Sequence, residues 1–169
     1  MTSHRTKLFL VAVALLGGVG AVGLMTSRAE ANRGCKKVHG RIVVEVTTEN
    51  CTSPVLLCTR GTIQGGGSLN GSTAFTTLAL APSAGLAPIV PATTLSYTGQ
   101  LTITARGGTL VLTDVGILEQ GTARFTELDS VVSGTGDFAG NTGLWTISGV
   151  VTGGGTGFDG NIEGTLCEP

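Results

Sequence analysis

Apolar and polar side chains alternate with a period of two along most of this chain. Ile42, Val44 and Val46 interleave with Arg41, Glu45 and Thr47, and Leu101, Ile103 and Ala105 interleave with Thr102 and Thr104. Trp145, Ile147 and Val151 share one face, opposite Leu144, Thr146, Ser148 and Val150. Near the end, Phe158, Ile162 and Leu166 oppose Asp159, Asn161 and Glu163. Such alternation puts successive side chains on opposite faces of an extended strand. Threonine, β-branched and weakly polar, suits the solvated face. No helical stripe appears after residue 31.

Turn residues separate the runs: Arg106-Gly107-Gly108, Gln120-Gly121 and Gly153-Gly154-Gly155. About eight strands follow, near 41–47, 56–65, 68–80, 94–105, 109–119, 122–133, 143–152 and 156–167. Consecutive hairpins of this kind make a meander, and a meander this long removes its sticky edges by closing. The pattern therefore predicts an all-β, eight-stranded antiparallel up-and-down barrel. A sandwich is the alternative, but its long crossovers are missing. Glycines within strands, among them Gly61, Gly71, Gly99, Gly116, Gly149 and Gly164, fit bends and bulges. Ala81 to Pro91 carries Pro82, Pro88 and Pro91 and reads as a stiff apolar loop, either packed on the surface or covering one barrel mouth.

Residues 1–31 read as an address. Arg5 and Lys7 precede an uncharged run from Leu8 to Met25, and Ala29-Glu30-Ala31 offers a small-x-small cleavage site. Cleavage after Ala31 is expected, with an uncleaved anchor as the rival reading. The residues before Cys35 do not suit lipidation. This divides the chain into a signal peptide (1–31), an N-terminal extension with the first strand (32–55) and a barrel domain (56–169). It also implies a secreted, periplasmic or cell-envelope location in a bacterium, with no stable membrane insertion once the signal is gone.

The four cysteines, Cys35, Cys51, Cys58 and Cys167, all follow the signal, and an even count in an exported chain reads as two disulfides. Of three possible pairings, Cys51–Cys58 with Cys35–Cys167 is favoured, because it closes a short turn around Pro54 and ties the N-terminal region to the last strand. No CxxC spacing exists and His39 is the one histidine after the signal, so no metal or other cofactor is expected. Charged residues make up 12% of the chain, about half the ordinary ~25%. The charge is uneven: residues 33–60 are basic, 61–100 carry no charge, and 101–169 are acidic. Without a basic face, nucleic acid is excluded as a partner.

Candidate chemistry is sparse. Glu127 and Asp129 alternate with Phe125 and Val131 on one strand face, while Arg124, Thr126, Leu128, Ser130 and Val132 occupy the other. Outward acids are the commoner arrangement. Inward, burial would raise their pKa values and make them a weak candidate acid/base pair. Tyr97 shares parity with Leu101 and Ile103, and Tyr97, Phe125 and Trp145 are candidate ligand contacts. A Ser/His/Asp or Cys/His set is not evident. Gly134-Thr135-Gly136 is followed by no lysine, unlike a phosphate loop. Gly154 to Asp159 is one imperfect copy of a calcium nonapeptide that requires stacked repeats. Asn50-Cys51-Thr52 and Asn70-Gly71-Ser72 match glycan acceptors.

The stretch from Ser133 to Gly143, with Gly134-Thr135-Gly136, Phe138, Gly140 and Gly143, resembles the Gly-Thr-Gly-x-Phe-x-x-x-x-Gly element of dirigent proteins and allene oxide cyclase-like barrels. The closing Gly157-Phe158-Asp159-Gly160-Asn161-Ile162-Glu163-Gly164 is similar to that group's glycine-spaced last strand, and exported bacterial members resemble this chain most. The resemblance implies an eight-stranded barrel with an apolar cavity, in which Phe138 plugs one end. In the named families such a cavity holds small lipophilic molecules. Allene oxide cyclases guide ring closure of a fatty-acid epoxide, and dirigent proteins steer radical coupling. The four cysteines and the proline-rich loop depart from the plant proteins. The leading expectation is an exported barrel that binds a small apolar ligand without catalysis. One alternative is a cyclase or isomerase using a buried carboxylate. Another is a structural or surface-interaction domain whose barrel is filled by its own side chains. Oligomeric state stays open.

Overall fold

The computed structural model describes residues 34–83 and 93–169. Eight antiparallel strands follow one another around a closed barrel, each paired to its sequence neighbours, with the first also paired to the last. They are β1 (Cys35–Thr47), β2 (Cys58–Gln64), β3 (Gly71–Pro82), β4 (Thr94–Ala105), β5 (Gly108–Glu119), β6 (Arg124–Gly134), β7 (Thr142–Thr152) and β8 (Gly157–Cys167). The period-two faces point as the alternation requires: Ile42, Val44, Leu101, Ile103, Leu110, Leu112, Ile147 and Ile162 are all buried inside. The segment 1–31, expected above to be a signal peptide, and most of the proline-rich loop lie outside the described residues.

Two boundaries differ from the sequence reading. β1 begins at Cys35, so the barrel starts there and not at residue 56. Residues 36–40 belong to it because their backbone pairs with Ile162–Leu166 of β8. Only Val38 among them turns inward, which leaves no alternation to read. β3 begins at Gly71 rather than near 68, because Gly67–Leu69 is a 3-10 turn. Gly65 and Gly67 take positive φ, and the Gly66 N–H donates to Asn70 Oδ1 at 2.8 Å, bending the chain so that Leu69 enters the core.

The two barrel ends are unlike. At the end where β1 starts and β8 finishes, Leu69 and Phe138 are buried from two such turns. The Phe138 turn clasps the β4–β5 hairpin: the Asp137 N–H donates to the Gly107 carbonyl at 2.8 Å. Gly136 sits there at φ +60°, with its missing Cβ position 2.1 Å from that same oxygen, so only glycine fits. Cys35 and Cys167 face each other in register and form a disulfide across the β1–β8 seam.

At the opposite end, the second disulfide, Cys51–Cys58, closes the β1–β2 connection. Within this connection the buried Ser53 Oγ donates to the Thr77 carbonyl at 2.6 Å and accepts from the N–H groups of Val55 and Leu57. The Thr77 N–H in turn donates to the Leu57 carbonyl at 3.0 Å. These bonds fix Leu57 beside the interior opening described next.

Candidate functional site

The barrel interior is not completely filled. A cavity of about 80 Å³ lies toward the end where β3 finishes and β4 begins. Its walls are apolar, with Ile42 and Val44 of β1, Leu101 of β4 and Ile147 of β7 contributing. Two edge-to-face aromatic pairs line it as well: Phe75–Tyr97, with centroids 6.4 Å apart, and Phe125–Phe158, 5.6 Å apart. Leu57 and Leu80 reach it from the connection and strand end at the mouth.

The ionisable groups of the cavity come from one sector, while Thr59 of β2 and Thr77 of β3 add hydroxyls elsewhere. Tyr97 on β4 and Glu127 on β6 both border it, and the Tyr97 hydroxyl donates to Glu127 Oε2 at 2.8 Å. β5 runs between them, and its residue at this level is Gly116, in register with both Tyr97 and Glu127. A Cβ on Gly116 would lie 2.2 Å from Tyr97 Cζ. The absence of a side chain there lets the phenol cross a whole strand.

One level deeper, Asp114 on β5 pairs in register with Asp129 on β6. Directly opposed residues in an antiparallel pair have Cβ atoms roughly 4.5–5.5 Å apart. Asp129 is 0% exposed and Asp114 6%. None of their four carboxyl oxygens makes a side-chain hydrogen bond of ordinary geometry. All lysines, arginines and the histidine among the described residues are exposed, so no cation answers these acids from within.

The electrostatic consequence follows from burial. Asp114 is pushed up to about 7, mainly because burial penalises its charged form, while the backbone N–H groups of Asp114 and Gly99 pull weakly the other way. Glu127 is raised by burial first and by the nearby Asp114 second, against the Tyr97 hydrogen bond, which favours its charge. Asp129 is raised by burial, then by Glu127 and Asp114. Burial, and then Glu127, likewise raises the Tyr97 phenol well above its ordinary value. The three carboxyls therefore titrate as a set, and protons remain in the barrel where isolated carboxylates would have lost them.

The sequence candidates fall in different places. Glu127 and Asp129 turn inward, reversing the commoner outward arrangement, because their strand shares its buried parity with Phe125. Tyr97 and Phe125 border the cavity. Trp145 does not: it is 1% exposed, packs on Gly164 and faces Asp129 in register. Gly134, Gly136, Phe138, Gly140 and Gly143 belong to the closed end and its flanking strands. Sequence reasoning missed Asp114, although Leu110, Leu112, Asp114, Gly116 and Leu118 share one parity. It also missed Thr77, a fully buried cavity residue whose Oγ1 has no hydrogen-bond partner. Among the described residues, no group of three or more His, Cys, Asp or Glu is placed to hold a metal ion.

Fold and cavity together define the class: a closed antiparallel up-and-down barrel, sealed at one end, with an aromatic-lined cavity over a buried carboxyl cluster. No protein-family model matches the sequence, and no curated protein is significantly similar to it.

Proposed function

We propose that this chain is an exported barrel, related to the allene oxide cyclase and dirigent-like group, that binds a small, mainly apolar ligand without transforming it. The observation that carries this reading is the cavity itself, mainly apolar and aromatic on its walls with a few polar groups, Thr59, Thr77, Tyr97 and Glu127. That is the usual make-up of a small-molecule site. It also weighs against a barrel filled by its own side chains. Its volume sets the scale: about 80 Å³ is well below the ~300 Å³ at which ordinary ligand pockets begin. The ligand is accordingly a few-atom molecule or the tip of a longer one.

Two disulfides are typical of chains that mature in an oxidising compartment. No helix among the described residues is long and apolar enough to cross a membrane. Exposed Lys37, His39, Arg41 and Glu45 along β1 suit a solvated barrel exterior rather than a lipid-facing one.

Native mass spectrometry of the disulfide-intact protein purified from its own host tests this reading. A co-purified small molecule, released on denaturation, is the expected result. A ligand-free mass, together with no spectral response to a panel of small hydrophobic probes, overturns it.

A second reading has its own support. The Tyr97–Glu127 pair, with a buried carboxyl held partly protonated, has the make-up of a general acid/base. An isomerase or cyclase of this kind would act on a substrate smaller than a fatty-acid epoxide. Turnover that is lost in Glu127→Gln while binding persists would favour it.

A further inference from the structure

We propose that the cavity recognises a small organic cation, an alkylammonium group whose head sits between the Tyr97–Glu127 pair and Thr77 with its alkyl part against the phenylalanines. This rests on the reading of the cavity as a ligand site and names the chemistry of that ligand.

Two independent observations support it. The first is the lack of any positive partner for the acids. Asp114, Glu127 and Asp129 converge on one sector, and no basic side chain among the described residues enters the barrel. An ammonium group brings up to three N–H donors and a positive charge to such a place. The second is Thr77, outside the acid cluster and on a different strand. Its hydroxyl is 0% exposed, borders the cavity and has no partner. A buried hydroxyl left unpaired is costly, and a ligand N–H would satisfy it. The aromatic walls fit the same ligand, because they offer its alkyl part an apolar surface out of water. A neutral apolar ligand would leave all of these polar atoms unanswered.

The charge balance sets the pH dependence. Of the titratable groups, Tyr97 from β4 and Glu127 from β6 border the cavity, and Asp114 from β5 and Asp129 from β6 lie one level deeper; β3 and β7 present Phe75, Thr77 and Ile147, which do not titrate here. A bound cation favours the ionised carboxyls. Binding therefore releases protons at mildly acidic pH, and affinity rises as the pH rises toward neutrality.

The test uses the disulfide-intact protein with two probes of equal length, butylammonium and 1-butanol, followed by NMR titration, and by calorimetry in buffers of differing ionisation enthalpy. The expected result is a preference for butylammonium of roughly tenfold or more at neutral pH, with proton release below it. Glu127→Gln should reduce that preference, and Thr77→Val, which keeps the side-chain shape, should reduce it without loss of fold. Equal binding of both probes, or butylammonium binding unchanged in both variants, overturns the cation proposal and leaves the cavity a ligand site. No binding of either probe, together with a ligand-free protein from its host, overturns both.

Discussion

Tyr97 reaches Glu127 over the bare backbone of Gly116, a phenol–carboxyl hydrogen bond of 2.8 Å that spans the strand between them. Each partner depends on the others: without the glycine the ring has no path, and without the ring Glu127 has no donor among the described side chains.

This chain has one tyrosine, so the bond has a clean optical signature. Burial and the adjacent carboxyls keep the phenol protonated in the folded barrel. Tyrosinate absorbance should therefore fail to appear near the ordinary phenol value of about 10 and should rise only together with unfolding. Gly116→Ala should let the phenol ionise earlier and cost about 1–3 kcal/mol by overpacking, as read from urea titrations.

Stability should fall as pH rises through neutrality. The folded-state value of Asp114, about 7, lies above the ordinary 3.8, so between those values the folded state holds the extra proton. Stability from this group is complete below the unfolded value and is lost as pH climbs to the folded one. The cost at alkaline pH is about 4 kcal/mol for Asp114. The opposite trend at acid pH comes from Asp159, whose value the Arg41 hydrogen bond lowers; its contribution disappears as pH drops through the carboxylate range. Thermal melts should show greatest stability on the mildly acidic side. Asp114→Asn should flatten the decline between mildly acidic and neutral pH, and a decline unchanged in that variant would contradict the assignment.

The two disulfides should differ in effect. Closing 132 positions at the seam is worth about 5 kcal/mol in the chain-entropy model, against about 2.5 kcal/mol for the seven-position loop. Replacing Cys35 and Cys167 with alanine should lower the denaturation midpoint more than replacing Cys51 and Cys58. The second pair should instead show its main effect at the cavity. Releasing the Ser53–Leu57 segment should speed exchange of the Leu57 and Thr77 amides, as seen by hydrogen exchange, with a smaller loss of global stability.

Phe138→Ala should cost about 3–5 kcal/mol by emptying the sealed end. Gly136→Ala should also destabilise, because its φ is left-handed and Gly107 O occupies the Cβ space. Neither substitution touches the cavity at the other end, so probe binding measured well below the melting point should be unchanged in both variants.

The barrel was legible because nearly every strand carries its own alternation and ends at glycine-rich turns. Arg106-Gly107 and Gly153–Thr156 mark their hairpins without help from tertiary contacts. The first half of β1 was not, since Lys36 and Lys37 flank a lone inward Val38 and its strand character comes from β8. The site was legible only in part. Parity places Glu127 and Asp129 together on one face, yet which face is inward depends on closure of the whole sheet. The nearness of Asp114 is set by the β5–β6 register, which no local pattern around either strand displays. Thr77 resembles any other strand threonine until its partnerless hydroxyl is seen against the cavity.

The seam disulfide joins the first strand to the last at residues already paired in register, so from Cys35 to Cys167 the polypeptide is a covalent ring. No stave of such a ring is intrinsically first. A gene that linked residues 35 and 167 by a short peptide and opened the chain at Arg106-Gly107 should encode the same barrel, with its beginning moved to another hairpin.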